Sequence, residues 1–154
     1  MNAQRYDIEW VMAGIVVAYL TNKIDVALQE KSPVVTFFDP MAIEEDNRFV
    51  VEVPAAQTNQ ESPGNYEGSC KCTVKSRVTE ATGAEDQKAH FNRTNWMRDV
   101  LMSSALLDDL NALATAGEFV LDYIQPHRDF STDATKEGWI YSDIAFRFTG
   151  YFPA

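Results

Sequence analysis

The sequence predicts an α+β fold, a mainly antiparallel sheet covered on one face by helices, with a long N-terminal helix. Three observations carry this. Apolar residues recur at helical spacing in three segments and at every second position in others. The resulting order is helix, strands, helix, helix, strand, strand, which segregates strands from helices. At 154 residues the chain fits one domain, residues 1–154, large enough to bury a core without a disulfide or structural metal.

The opening helix follows from Ile8, Val11, Met12, Ile15, Val16, Tyr19, Leu20, Ile24 and Ala27, an i, i+3, i+4, i+7 rhythm running from Asp7 to Leu28. That is about 20 residues, hence about 30 Å. SPVVTFFDP (32–40) and RFVVEVP (48–54) read as short strands, the second with Phe49, Val51 and Val53 alternating. PAAQTNQESPGNYEG (54–68) is polar and aperiodic, and is expected to be a mobile loop in which Gln57, Asn59, Glu61 and Asn65 could contact a partner.

The next strand puts Cys70, Cys72, Val74, Ser76 and Val78 on a core face and Ser69, Lys71, Thr73, Lys75 and Arg77 on a polar, basic one. A second helix starts at the capping box Thr82–Glu85 and carries an apolar stripe of Ala89, Trp96, Met97, Val100 and Leu101. A third, Ala105–Ala116, is striped by Leu106, Leu107, Leu110 and Leu113, with Gly117 as its C-terminal cap. EFVLDYI (118–124) is a strand, QPHRDFSTDATKEG (125–138) a turn-rich connection and WIYSDIAFRFTGYF (139–152) the last strand. In that strand Ile140, Ile144, Phe146 and Phe148 face one side, and Trp139, Tyr141, Asp143, Arg147 and Tyr151 the other.

Charge limits the function classes. Thirteen Lys and Arg against twenty-three Asp and Glu give a net charge of −10, which argues against a dedicated duplex-binding protein and against an anionic membrane surface. The apolar run at 10–20 is too short to span a bilayer, and its flank lacks the features of a secretion signal. A reducing cytoplasm is therefore expected, where Cys70 and Cys72 are thiols.

Few constellations carry chemistry. Cys70 and Cys72 with His90 and His127, the only histidines, could be proposed as zinc ligands, but C-x-C in a strand with dispersed histidines matches no standard pattern. Two small apolar side chains in a core is the simpler reading. His127-Arg128-Asp129 spells a kinase triplet without any companion motif, and Asn92-Arg93-Thr94 is a glycosylation sequon within a helix. Asp86 and His90 read as a solvated helix-surface pair, and Asp108-Asp109 as the exposed side of a leucine-striped helix. No catalytic residue, metal ligand or cofactor follows.

Lys71, Lys75 and Arg77 concentrate positive charge on one strand face of an acidic chain. Two readings stand, a charged surface guarding a sheet and an interface with an acidic patch of an identical neighbour. Outward Trp139, Tyr141 and Tyr151 favour the interface, since aromatic residues and Arg are enriched at subunit contacts.

In layout the chain resembles the tail terminator and tail-completion proteins of long-tailed bacteriophages. The residues that carry this are RYDIEWVMAGIVVAYLTNKIDVAL, RFVVEVP, the polar loop, GSCKCTVKSRV, AHFNRTNWMRDVLMSSALLDDLNAL, EFVLDYIQP and WIYSDIAFRFTGYF. The resemblance implies a non-enzymatic virion subunit forming a homo-oligomeric ring, commonly of six, assembled in the host cytoplasm. It would cap the tail tube and join it to the neck or connector, with DNA passing through an acidic bore without specific binding. Other neck subunits share the layout. The alternative from a different class is a small enzyme or ligand-binding domain using His90, His127, Cys70 or Cys72.

Overall fold

A computed structural model describes residues 8–23, 34–35, 48–58, 65–78, 83–115, 119–134 and 138–152. The elements run α1 (Ile8–Lys23), β1 (Val34–Val35), β2 (Arg48–Thr58), β3 (Asn65–Arg77), α2 (Gly83–Leu101), α3 (Leu106–Thr115), β4 (Val120–Ala134) and β5 (Trp139–Tyr151). They form one five-stranded sheet of order β1-β2-β3-β5-β4, antiparallel except for the short parallel pair β1–β2. The fold is α+β.

The central pairing is β3 with β5, in register from Asn65↔Tyr151 to Arg77↔Trp139 without a shift. Because side chains alternate, this register puts Cys70, Cys72 and Val74 on the same face as Ile144, Phe146 and Phe148. The three described helices cover that face. Met12, Val16 and Leu20 of α1, Met97 and Leu101 of α2, and Leu106 and Leu110 of α3 share one buried cluster with the strand residues. Both cysteines are free thiols in this core.

α1 spans 16 residues rather than about 20, and its expected continuation over 24–28 lies outside the described residues. Tyr19 ties it to α2 by donating its hydroxyl to the Val100 carbonyl at 2.6 Å. α3 is joined to the start of β4 by Asn111, whose side chain donates to the Leu121 carbonyl at 2.9 Å and accepts from the Leu121 amide at 3.0 Å. The Asn111 amide thereby imitates one step of a strand ladder.

Two expectations need correction. The segment 54–68 is not one loop, because β2 continues to Thr58 and β3 begins at Asn65, with Ala55↔Ser69 through Thr58↔Tyr66 paired. Its strand nature was hidden by Pro54, which sits where the register shifts between Glu52 and Ala55. A residue without an N–H is accommodated at such a shift. The connection expected at 125–138 is mostly strand, with β4 running to Ala134 opposite Ile140. Pro126 again marks an irregularity, two extra residues falling between Pro126↔Phe146 and Phe130↔Ile144. Gly117 and Thr82, the expected caps, lie outside the described residues.

Gly138 turns the chain into β5 with φ of 83°, a conformation that disfavours any side chain, and its carbonyl accepts from the Val78 amide at 2.7 Å. Gly150 serves packing instead. A Cβ there would lie 2.5 Å from the Phe119 ring and 2.6 Å from the Val120 carbonyl oxygen. Gly150→Ala is therefore expected to destabilise the fold by about 2 kcal/mol or more through overpacking, read as a lower urea midpoint.

Candidate functional site

Among the described residues two regions hold polar chemistry, one sealed under α2 and one open on the outer face of the sheet. The first is built by α2's buried face, His90, Arg93, Thr94, Met97 and Leu101. These positions follow helical spacing, but three of the five are polar. They meet two serines on the helix-covered face, Ser76 of β3 and Ser142 of β5. His90 Nδ1 lies 2.9 Å from the Ser76 hydroxyl and Nε2 lies 2.8 Å from the Ser142 hydroxyl. Arg93 also donates to the Ser76 oxygen, and the Thr94 hydroxyl donates back to the His90 carbonyl at 2.9 Å.

One neutral tautomer satisfies both ring nitrogens of His90. The Ser76 oxygen accepts from Arg93 and its proton goes to Nδ1, while Nε2–H donates to Ser142. Burial first, and the Arg93 charge second, lower the His90 pKa to about 4. A serine oxygen beside an imidazole has the elements of a nucleophile and base, yet His90 and Ser142 are 0% exposed and Ser76 1%. As folded, the cluster clamps a helix and offers no access to substrate. The sequence reading of Asp86 and His90 as a solvated surface pair is thus corrected at His90.

The outer face divides into two ends. At one end Thr73 donates to Asp143 at 2.6 Å, and the Lys75 ammonium sits 4.2 Å from the centre of the Trp139 ring, with Arg77 5.3 Å from the same ring. Lys75 is 1% exposed, so it is no surface cation, and of the proposed basic row only Arg77 is exposed, Lys71 being half-buried. Trp139, Tyr141 and Tyr151 are half-buried on this same face.

The other end is an open trough of about 430 Å³ between β3, β5 and β4, lined by Glu67, Ser69, Arg147, Thr149, Tyr123 and Gln125. Its wall exists because β4 carries one extra residue between Leu121↔Gly150 and Tyr123↔Thr149. That bulge buries Leu121 in the core and turns Tyr123, two positions later, outward to 56% exposure. Plain alternation would have put both on one face, so the sequence reading missed the trough.

The remaining candidates do not converge. Cys70 and Cys72 are in the core. Gln57 falls in β2 opposite Glu67, and Asn65 in β3 opposite Tyr151, while Asn59 and Glu61 lie outside the described residues. His127 falls in β4, whose described partners there are β5 residues. Among the described residues no cluster of three or more His, Cys, Asp or Glu could hold a metal ion, and no helix is long and apolar enough to cross a membrane. Compared with known proteins, the chain matches no family model and no curated protein.

Two outcomes follow from this geometry. His90 has a folded pKa below its unfolded value of about 6.5, so between those values the unfolded chain takes up a proton that the folded chain refuses. Stability should then fall as pH drops from 6.5 to 4, by about 2 kcal/mol, and His90→Gln should flatten that window in urea titrations. Lys75→Glu puts a carboxylate against Trp139 in a buried position and should cost about 3 kcal/mol or more, whereas Arg77→Glu on the exposed strand end should cost under about 1 kcal/mol in the same assay.

Proposed function

We propose that the chain is a structural ring subunit of a phage tail or neck, of the tail-terminator kind, acting through assembly rather than catalysis. The observation that carries this reading is the outer sheet face. Among the described residues it has no helical cover, and it presents Tyr123 and Arg147 in a concave trough on an otherwise acidic chain. Aromatic residues and Arg are the side chains that subunit interfaces favour. The element order that carries the sequence resemblance also recurs in the fold, from α1 through the two hairpins and the paired helices between them.

A ring requires a heterologous contact, one patch meeting a different patch on the next copy. In this reading an acidic bore lets DNA pass without phosphate contacts, and the tail-tube and neck proteins stack above and below. The ring is commonly of six in the resembled proteins.

Light scattering coupled to size exclusion, with negative-stain imaging, tests the proposal. A discrete ring, formed alone or on addition of tail-tube protein, is the expected outcome. A strictly monomeric species at high concentration that stays monomeric with the tube protein present would remove the reading.

A further inference from the structure

The trough has a counterpart on the opposite layer of the same molecule. Where α2 meets α3 the chain turns through residues 102–105, and this corner is fixed by its own hydrogen bonds. The Met102 amide donates to the Arg98 carbonyl at 2.9 Å, the Leu106 amide to the Ser103 carbonyl at 3.1 Å, and the Ala105 amide to the Ser103 hydroxyl at 3.2 Å. From this ordered corner Met102 projects at 48% exposure, one of the exposed large apolar side chains among the described residues. The exposed carboxylates of Asp99 and Asp108 flank it in sequence, and neighbouring Asp109 is engaged by Lys23 at 3.7 Å.

We infer that the trough receives the α2–α3 corner of a second copy of this chain, with Met102 against Tyr123 and the Asp99 and Asp108 carboxylates toward Arg147. This rests on the ring reading above and supplies its contact. The chemistry matches on both counts. A flexible thioether packs well against an aromatic ring, and a guanidinium pairs with carboxylates through directed hydrogen bonds. Ser69, Thr149 and Gln125 give the trough neutral donors and acceptors for the exposed turn residues 103–105.

The charges also agree in sign. Among the described residues the trough holds one exposed cation, Arg147, and one exposed carboxylate, Glu67; Asp99 and Asp108 of the corner are opposite in charge to the first, and exposed Arg98 beside them to the second. Because the trough lies on the outer sheet face and the corner in the helical layer on the other face, each copy keeps one free trough and one free corner after a single contact. That is the heterologous geometry a ring needs. A corner already held by backbone hydrogen bonds, set against a trough framed by sheet, loses little freedom on docking.

The test uses the full-length chain. Arg147→Glu should raise the concentration for half-assembly by tenfold or more, and adding Asp99→Arg with Asp108→Arg in the same chain should restore it. Lys88→Glu, on the exposed surface of α2, should leave it unchanged. In a chain carrying Met102→Cys and Tyr123→Cys, mild oxidation should give a ladder of covalent oligomers that neither single variant gives, since Cys70 and Cys72 are buried. If the wild type assembles, Arg147→Glu assembles equally well and the double-cysteine chain gives no such ladder, this pairing is overturned while the ring reading stands. A wild type that never assembles overturns both.

Discussion

The pairing of β3 with β5 is the constraint from which the rest of the structure follows. Thirteen residues of each strand meet without a register shift, so the faces of the sheet are fixed over its whole centre. One face delivers Cys70, Cys72, Val74, Ile144, Phe146 and Phe148 to the helices. The other delivers Glu67, Ser69, Lys71, Thr73, Lys75 and Arg77 opposite Thr149, Arg147, Ala145, Asp143, Tyr141 and Trp139. A slip by one residue would send Lys75 into the helical layer and both cysteines out of it. The register shifts fall instead in the pairings of the outer strands, at Pro54, between Leu121 and Tyr123, and after Pro126.

The helical layer is positioned by more than apolar contact. α2 presents His90, Arg93 and Thr94 to the sheet, and it can bury them because the register places Ser76 and Ser142 one step apart on adjacent strands, Val74 facing Ser142 and Ser76 facing Ile140. Apolar packing alone would allow a helix to rotate by part of a turn at little cost. Two hydrogen bonds to opposite edges of one imidazole fix its azimuth, since a half-made buried network costs more than none. The same end of the sheet buries Lys75 on its other face. Both faces there are closed by polar contacts made within the chain.

Much of this was legible in the sequence, and the gaps have physical causes. The alternation in β5 and in β3 from Cys70 to Ser76 marked the core face because one side is helix-covered. The elements α1 and α3 were marked by apolar spacing for the same reason. In α2 the apolar stripe found Met97 and Leu101, but the polar part of the buried face was not marked, because hydropathy weighs Ala89 and Trp96 above His90 and Arg93, and the hydroxyls that make the polar residues acceptable come from strands far away in sequence. The ends of both hairpins look like turns in composition. They are strands because a neighbouring strand supplies the ladder, a case where pairing overrides local propensity. Lys75 was assigned to the surface by its type, and the ring that shields it is 64 residues later. Tyr123 depends on a single inserted residue in β4, which no periodicity reveals.

The division of the outer face into a closed end and an open end bears on how such a sheet can associate. At the closed end a partner would have to break Lys75 from Trp139 and Thr73 from Asp143 before gaining anything, and would then inherit a buried charge. At the open end Tyr123 and Arg147 are already exposed, and contact there removes apolar ring surface from water without dismantling an internal pair. From the sequence, Lys71, Lys75 and Arg77 read either as a charged surface guarding the sheet or, with Trp139, Tyr141 and Tyr151, as an interface. In the proposed assembly the contact lies further along the same face, at residues 67–69 and 147–149. Among the described residues, what distinguishes the open end is exposure rather than the density of charge, because a cation satisfied within its own chain has little left to offer another.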